Sequence, residues 1–526
     1  MFKAAGATLA PRRAPAAPLP VAARPMPRLL RPAAAARSAA LPAARPARPL
    51  RQQRPLQEPP RAASGASAAG DKEPEPDAMK SIDLVHPDGF VSRRLLVFAG
   101  ILIAYTCLYL NRGTLTYSAP TMVADPLLGL TKTDIGAMTS AFPAAYGISK
   151  FAGGMLGAAF SPTKMLAYGL MATSVVNILF GFGASVWYWS GLWAINGALQ
   201  GIGAPACAML LTRWFAAKER GTYWGLWNIS TNLGGFLSPI IVGSLAAHYG
   251  WQWGMWAPGA FGLVMGAAVL FALKDSPEAL GFPPVEPVKA SDAAPAKGGA
   301  SKTQALRDSM QEVLTSWRTW LLALTYFMVY LVRQGCTSWL IFYLLEVKGA
   351  TNAAAAALTV SGLELGGLLG GTLSGVLSDA SIKAAKASGA GQVGRRVQIV
   401  IVYLFLTLGV LAALRAVPAA APQMQWFVIA ALGFGIYGPQ MLIGLCGAEI
   451  VSKKSVGASQ GILGLISYMG AAFAGVPLAF MQARFGWDGY FALLSLGCVA
   501  AIGLLLPLVN ARSQAQISAA GGPAKS

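Results

Sequence analysis

About twelve long apolar segments follow one another from Leu95 to Val509, and they constrain the fold more than any other feature. Each is long enough to cross ~30 Å of hydrocarbon as a helix rising ~1.5 Å per residue. Only 12% of the residues are charged, against about 25% in soluble domains. An all-α membrane protein is therefore predicted. The segments are Leu95–Tyr117, Ile135–Phe160, Met165–Phe182, Trp187–Leu211, Tyr223–Ala247, Trp253–Leu273, Trp320–Leu344, Ala353–Leu377, Val397–Leu414, Trp426–Ile450, Gly457–Met481 and Tyr490–Val509.

A polar stretch between Lys274 and Trp317 divides the segments into six and six. Basic residues concentrate in alternate loops, which places the linker and both chain ends on one face by the positive-inside rule. These residues are Lys164, Arg213, Lys218, Arg220, Lys383, Lys386, Arg395, Arg396, Lys453 and Lys454. The predicted organisation is a leader (1–70), a polar lead-in (71–94), a first half (95–273), a linker (274–317), a second half (318–510) and a tail (511–526).

The leader carries much of the net charge of +20. Met1–Gln57 holds ten Arg, one Lys and no acidic residue, so the basicity is no evidence of nucleic-acid binding. A stretch this rich in Ala, Arg and Pro cannot bury a core and should be disordered. It resembles an organellar transit peptide, and its frequent Pro favours a plastid leader over a helical mitochondrial one. We expect the plastid inner envelope, with another organelle membrane as the alternative.

Motifs for catalysis or metal binding are missing from the sequence. No Walker A pattern or catalytic triad occurs, and the two histidines, His86 and His248, have no ligand-like neighbours. The five cysteines lie in apolar runs without CxxC spacing, as small buried hydrophobes do. We therefore expect no enzyme activity, no cofactor and no metal, and a monomer in the bilayer.

Two matching stretches, Tyr109-Leu110-Asn111-Arg112 and Tyr330-Leu331-Val332-Arg333, place one Arg inside an apolar segment of each half. An Arg near the bilayer centre costs at least ~2.5 to 3.5 kcal/mol and by default has a functional role. Each Tyr lies three residues before its Arg and so shares its helix face. One anion site between the halves is predicted; the alternative is a structural cation bound to carbonyl groups or to Glu364.

Further polar residues in the segments could complete such a site. Lys150 follows Tyr146 by one helical turn, and the alternative is that it snorkels to an interface. Asn228 and Thr231 share a face of the fifth segment, where they could bind a ligand or a neighbouring helix. Glu364 could balance an empty cationic cavity or pair with Arg333. Tyr437, beside Pro439, is predicted to interrupt and kink the tenth segment.

A cavity with two or three permanent cations favours a polyanion. The planar fork of Arg donates two hydrogen bonds to phosphate and keeps its charge. One carboxylate would barely balance two Arg and one Lys, so a phosphate monoester or inorganic phosphate fits better. Two buried cations without an anion are unfavourable, which favours obligatory exchange over an empty return step.

The membrane part resembles the organophosphate:phosphate antiporters of the major facilitator superfamily. The resemblance implies a fold of two six-helix halves and an exchange of sugar phosphates or glycerol 3-phosphate for phosphate. It also implies that Arg112 and Arg333 hold the phosphate, near Lys150, Tyr146 and Tyr330. The stretches that carry it, besides the two with Arg, are Ala145–Phe151, Arg213-Trp214-Phe215, Lys218–Gly221, Trp227-Asn228, Asn232–Gly235, Tyr437–Leu445 and Phe485–Gly489.

Departures from the bacterial glycerol-phosphate carriers of this family affect the substrate expected. Those carriers have Lys directly after the first Arg, where this chain has Gly113, and Asp five residues after the second Arg, where this chain has Ser338. They also have His at the position that Thr231 occupies here. Gly113 is expected to leave room for a hexose beside Arg112. We expect exchange of glucose 6-phosphate for phosphate, with glycerol 3-phosphate or triose phosphates, or a non-transporting sugar-phosphate sensor, as alternatives. An Asp-Arg pair of the family is also absent, replaced by Ala158-Ala159, whereas Asp379 is kept.

Overall fold

The computed structural model describes residues 89–156, 161–285, 299–385, 391–452 and 454–519. The predicted leader, Ala158-Ala159 and part of the linker lie outside these residues. The described chain is helical throughout its length apart from short connections. The helices are α1 (Phe90–Ala124), α2 (Lys132–Leu156), α3 (Pro162–Phe180), α4 (Val186–Gln200), α5 (Gly203–Trp214), α6 (Ala217–Tyr249), α7 (Trp251–Ala272), α8 (Gly299–Thr315), α9 (Trp317–Glu346), α10 (Ala353–Val360), α11 (Gly362–Ala384), α12 (Gln392–Ala416), α13 (Pro422–Glu449), α14 (Val456–Phe473), α15 (Val476–Leu505) and α16 (Gln514–Ala519).

Ten stretches of the described chain are long and apolar enough to cross a membrane. One of them, Val456–Leu508, has 53 residues, about 80 Å of helix and too much for a single crossing. It is broken at Gly486, whose φ of 64° suits glycine, so it makes two crossings. Helix α2 is not among the ten, but it packs against α4 and α14 within the bundle. The predicted set of about twelve spans is consistent with this architecture.

Within each half, the closest packing is mostly between helices that are not adjacent in the sequence. In the first half α1 packs against α6 and α7, α3 against α7, and α2 against α4. In the second half α9 packs against α14 and α15, and α13 against α11 and α12. The halves meet along two seams, where α2 contacts α14 and α15 and α6 contacts α10 and α11. A cavity between the halves is thus bordered by helices of both.

Glycine allows the close approach at these seams, as expected between helices in a bilayer. A Cβ on Gly136 of α2 would lie 2.7 Å from the Ala479 side chain of α15. On the other seam, a Cβ on Gly235 of α6 would lie 2.6 Å from the carboxylate carbon of Glu364. Backbone of one half therefore comes within van der Waals distance of side chains of the other.

The predicted interruption at Tyr437 and Pro439 is wrong, because α13 runs through both residues as one helix. Proline is tolerated within membrane helices where neighbouring groups satisfy the freed carbonyl. Three other spans of the described chain are divided instead. The fourth changes from α4 to α5 at Gly201 and Ile202, the eighth from α10 to α11 at Ser361, and the eleventh from α14 to α15 at Ala474 and Gly475.

The linker contains a helix, α8, that is docked on the start of α14. The carboxylate of Glu312 accepts hydrogen bonds from the Ser452 amide (2.8 Å), the Ser452 hydroxyl (2.7 Å) and the Ser455 hydroxyl (2.5 Å). Burial by itself would raise the pKa of Glu312, but these bonds from Ser455 and Ser452 favour the charged form and lower it below its ordinary value. The contact connects the linker to the second half.

We expect Glu312→Ala to release α8 from α14. Three charge-assisted hydrogen bonds are lost, so hydrogen–deuterium exchange of the α8 amides should accelerate severalfold. Because the folded pKa of Glu312 is depressed, docking should be fully present above the ordinary value of ~4.3 and be lost as pH falls through the lower folded value. Gln311→Ala, at the exposed neighbouring position, is the matched control. Equal protection of α8 in both variants would contradict this role.

Candidate functional site

Arg112 projects from α1 into a group of aromatic rings. Its guanidinium carbon lies 4.4 Å from the ring centre of Tyr109, 4.5 Å from that of Tyr146 and 5.2 Å from that of Phe142. Cation–π contacts of this kind stabilise a partly desolvated cation without neutralising it. Its Nε donates a hydrogen bond to the side-chain oxygen of Gln200 at 3.1 Å. Among the described residues, no carboxylate lies within ion-pair distance of Arg112.

Arg333 projects from α9 and is held differently. Its Nη2 donates to the Tyr437 hydroxyl at 3.1 Å, and that hydroxyl donates to the Glu364 carboxylate at 2.5 Å. The guanidinium carbon also lies 4.7 Å from the Tyr437 ring centre and 5.8 Å from that of Tyr330. The Nε of Arg333 is buried and has no hydrogen-bond partner within the described chain. One strong donor of the second half is therefore unused.

Glu364 and Arg333 are connected through the hydroxyl of a third residue, Tyr437. Glu364 is 7% exposed and makes no direct ion pair with Arg333 in the described chain; the Tyr437 hydroxyl bridges them. A buried carboxylate one hydroxyl away compensates part of the arginine charge. The direct pair with Arg333, one of the two alternatives of the sequence analysis, is therefore not formed, and Glu364 lines the central cavity.

Both arginines line one cavity of about 80 Å³ between the halves. Residues from five or more helices contribute to its wall. Besides Arg112 and Arg333 these are Tyr109, Gly113, Leu115, Thr116, Tyr117, Thr139, Phe142, Pro143, Trp193, Gly235, Ser238, Tyr330, Gln334, Thr337, Glu364 and Tyr468. The predicted meeting of Arg112 and Arg333 at one site agrees with this arrangement.

The expectation that Gly113 leaves room for a hexose is wrong. A Cβ at this position would lie 2.7 Å from the Ser238 side chain of α6. The hydroxyl of Ser238 bonds to the carbonyl of Gly234 at 2.9 Å, which keeps it in place. The place of the missing side chain is therefore taken by the close packing of α1 on α6, although Gly113 itself borders the central cavity.

A layer of tyrosines separates this central cavity from a wider one. The ring centre of Tyr468 lies 4.4 Å from that of Tyr146 and 5.2 Å from that of Tyr330, so the three rings connect α2, α14 and α9. Lys150 lies on the other side of the layer, with its Nζ 5.5 Å from the Tyr468 ring centre. Lys150 lines the wider cavity and not the central one.

The wider cavity has a volume of about 900 Å³ and lies on the face of the linker. Its wall includes Asp308 and Glu312 of α8 and the start of α14. Trp224 and Trp227 of α6 also line it, and Asn228 and Thr231 each follow one of them by four residues on the same face. Neither Asn228 nor Thr231 is among the residues that line either cavity, so the structure does not bring them to the arginines.

The opposite face is closed by contacts between the halves. Lys132 at the start of α2 forms a 2.6 Å ion pair with Glu346 at the end of α9. The Trp487 indole donates to the same carboxylate at 3.1 Å, and Lys132 lies 5.4 Å from its ring centre. Ser140 of α2 adds a 2.7 Å bond to the Ala472 carbonyl. Among the described residues, these contacts close this face, whereas the wider cavity lies on the linker side.

Sequence reasoning missed several residues at the site, among them Gln200 and Tyr468. Gln200 is uncharged and belongs to a small-residue stretch, and Tyr468 resembles any interfacial or core tyrosine. The available signal was a polar side chain in an apolar span, which also occurs at many helix contacts. Only the packing of α4 on α2 and of α14 on α2 brings them to Arg112 and Tyr146.

The sequence profile of the Major Facilitator Superfamily matches residues 101–475. The chain belongs to this superfamily. The resemblance stated for its sequence motifs is confirmed at this level, and the helical architecture of two related halves agrees with it.

Three relatives show where the chain lies within the superfamily. A probable hexose phosphate transport protein of Chlamydia pneumoniae is 36% identical over 433 residues, covering 80% of this chain and 91% of the relative. The membrane sensor protein UhpC of Salmonella typhimurium is 36% identical over 417 residues, covering 78% and 91%. A glycerol-3-phosphate transporter of Bacillus subtilis is 31% identical over 432 residues, covering 80% and 94%. The chain is thus similar to organophosphate transporters and to a sensor.

A solved structure shares the fold at low sequence identity. The inward-facing, unoccupied form of a bacterial homologue of the human lysosomal transporter Spinster aligns with a TM-score of 0.59 at 15% identity. The alignment covers 80% of this chain and 95% of that protein. This similarity supports the fold alone.

We expect Tyr437→Phe to weaken anion binding at the central cavity. Without the bridging hydroxyl, Arg333 and Glu364 lose a buried hydrogen bond worth ~1–3 kcal/mol and can pair directly, so Glu364 competes with an anion. Affinity for inorganic phosphate, measured by thermal stabilisation of the purified protein, should fall about tenfold.

The control for this variant is Tyr403→Phe. The Tyr403 hydroxyl is also buried and bonds a carbonyl, that of Gly370, at 3.3 Å, away from the cavity. Adding Glu364→Gln to Tyr437→Phe should restore part of the affinity, because the competing carboxylate is removed. Unchanged phosphate affinity in Tyr437→Phe would show that the bridge has no role in binding.

Proposed function

We propose that this protein is a secondary transporter that exchanges a sugar phosphate for inorganic phosphate by alternating access between its halves. The observation that carries the proposal is that Arg112 and Arg333, one from each half, line one central cavity. A phosphate that bridges them would connect the halves through four or more charge-assisted hydrogen bonds. Binding would then favour closure of the halves around the substrate.

The charge balance of the cavity supports a dianion. Glu364 partly compensates Arg333 through Tyr437, whereas Arg112 has only neutral partners among the described residues. Lys150 adds a third cation beyond the tyrosine layer. The Nε of Arg333, which has no partner among the described residues, supplies a donor that a phosphate oxygen would satisfy. An empty cavity leaves these cations incompletely compensated, which favours exchange over the return of an empty carrier.

The dimensions of the two cavities suggest how a sugar phosphate would lie. The central cavity of about 80 Å³ is far below the ~300 Å³ of pockets for larger ligands. The phosphate group would therefore occupy the central cavity, and the sugar would extend past Tyr146 and Tyr330 toward Lys150 and the wider cavity. We propose Asn228 and Thr231, one helical turn from the wider-cavity residues Trp224 and Trp227, as contacts of the sugar hydroxyls. Tyr437, whose hydroxyl binds both Arg333 and Glu364, lies with Glu364 at the phosphate end and would not contact the sugar.

Glucose 6-phosphate is the substrate that we favour. The named hexose-phosphate relative is 36% identical and the glycerol-3-phosphate relative 31% identical, so a hexose phosphate is preferred to a three-carbon phosphate. The sensor UhpC is as similar as the hexose-phosphate relative, and this supports a non-transporting sensor as the second candidate. A sensor would bind the sugar phosphate without exchanging it.

Exchange assays on proteoliposomes test the proposal. Vesicles preloaded with phosphate should take up labelled phosphate, and external glucose 6-phosphate should drive its efflux. Glycerol 3-phosphate and triose phosphates form the comparison panel. If only these three-carbon phosphates drive exchange, the hexose assignment is wrong; stabilisation by glucose 6-phosphate without any exchange would indicate the sensor.

In the same assay, Arg112→Lys and Arg333→Lys should each nearly abolish exchange. Lys keeps the charge but cannot make the two-pronged contact, and one lost charge-assisted contact of ~1.5–3 kcal/mol weakens binding about ten- to hundredfold. Arg484→Lys, at an exposed position outside both cavities, is the control. Normal exchange in either cavity variant would remove the basis of the anion site.

We further propose that residues 1–70 direct this multi-pass membrane protein to the plastid inner envelope. The support is the Arg-rich, acid-free composition of Met1–Gln57; the relatives named above are bacterial and carry no information on an organelle. A fluorescent fusion of the first ninety or so residues should enter plastids. Retention of the fusion in mitochondria or the cytosol would contradict the targeting proposal and leave the exchange proposal unaffected.

A further inference from the structure

Gln200 supports Arg112 in the first half as Tyr437 supports Arg333 in the second. The Gln200 side-chain oxygen accepts from Arg112 Nε at 3.1 Å, and the Tyr437 hydroxyl accepts from Arg333 Nη2 at 3.1 Å. Each arginine lies on the first span of its half, and each acceptor lies on the fourth. Both acceptors are followed directly by glycine and a few residues later by proline. The same support thus occurs at corresponding places in both halves.

The environment of Gln200 holds its amide in one orientation. The side chain is 2% exposed, and its Nε2 donates to the Asn196 oxygen at 3.0 Å, one helical turn earlier on α4. This bond orients the amide oxygen of Gln200 toward Arg112. The next residue, Gly201, allows α2 to approach, since a Cβ there would lie 2.6 Å from the Ser149 hydroxyl. The end of α4 is therefore fixed at the position where it meets the arginine.

The two supports differ in charge. Tyr437 connects Arg333 to the Glu364 carboxylate, whereas Gln200 connects Arg112 only to the neutral Asn196. A neutral acceptor orients a guanidinium and leaves its full charge for a ligand, while a carboxylate competes with that ligand. The first half thus presents a less compensated cation to the central cavity than the second half.

We propose that Gln200 is a positioning residue that orients Arg112 toward the cavity without neutralising it, so that the first half provides the stronger anion contact. This inference rests on the proposed function, because it takes phosphate as the ligand of Arg112. Gln200, on α4, would contact the arginine and not the substrate. The neutral amide is the property that matters, and a carboxylate of almost the same shape should not replace it.

The decisive variant is Gln200→Glu. It keeps the size and the acceptor but converts the contact with Arg112 into an ion pair. The half-saturating phosphate concentration should rise at least ~10-fold, with the thermal stability of the unliganded protein unchanged or increased, because a charged partner replaces a neutral one. Gln200→Leu removes the acceptor without adding charge and should raise half-saturation less, about threefold to tenfold.

Gln398→Glu is the matched control. Gln398 on α12 also accepts from an arginine, with its oxygen 3.1 Å from Arg395 Nη1, and it lines neither cavity. The same change beside that arginine should leave half-saturation unchanged. A rise equal to that of Gln200→Glu would show a general effect of added carboxylates and would overturn the inference. The inference would also be overturned if the half-saturating phosphate concentration of Gln200→Glu equalled that of the wild-type protein.

Phosphate binding measured by thermal shift separates this inference from the proposed function. If the wild-type protein binds phosphate without exchanging it, exchange fails but Gln200→Glu must still lower the affinity at least ~10-fold. If the wild-type protein exchanges phosphate and Gln200→Glu binds it normally, only the inference fails. A wild-type protein that neither binds nor exchanges phosphate would overturn both.

Discussion

Two permanently charged arginines in the middle of a bilayer are the constraint on which the structure depends. Neither can shed its proton, so each must be surrounded by groups that replace water. The fold meets this requirement with aromatic faces, one amide, and one phenol that leads to a carboxylate. These partners come from different helices of the same half as each arginine. The site is thus prepared within each half and is completed only where the halves meet.

Incomplete compensation gives the cavity its chemistry. A fully paired arginine would be a structural cation, whereas Arg333 keeps an unpartnered Nε and Arg112 has only neutral partners in the described chain. The tyrosine layer of Tyr146, Tyr468 and Tyr330 separates this charge from the wide cavity on the linker face. The Lys132–Glu346 pair closes the other face. Rocking of the halves would have to break one set of contacts and form the other.

Much of this organisation was predictable because its physical signals are local. A charged residue inside an apolar run is visible in the sequence, and so is its repetition in a second half; the major facilitator architecture agrees with both. The prediction failed where a residue acts through its neighbour in space. Gly113 was expected to open a space that Ser238 of another helix fills, and the Tyr437–Pro439 stretch was expected to interrupt a helix that is continuous.

The sequence by itself determined that the chain crosses a membrane about twelve times and carries one buried arginine in each half. Hydrophobic length and charge are properties of single segments, so no partner is needed to recognise them. Only the tertiary structure decided that Tyr437 connects Arg333 to Glu364, that Gln200 orients Arg112 and that Lys150 lies beyond Tyr468. These relations depend on distances between helices far apart in the chain, which helix packing sets and composition does not encode.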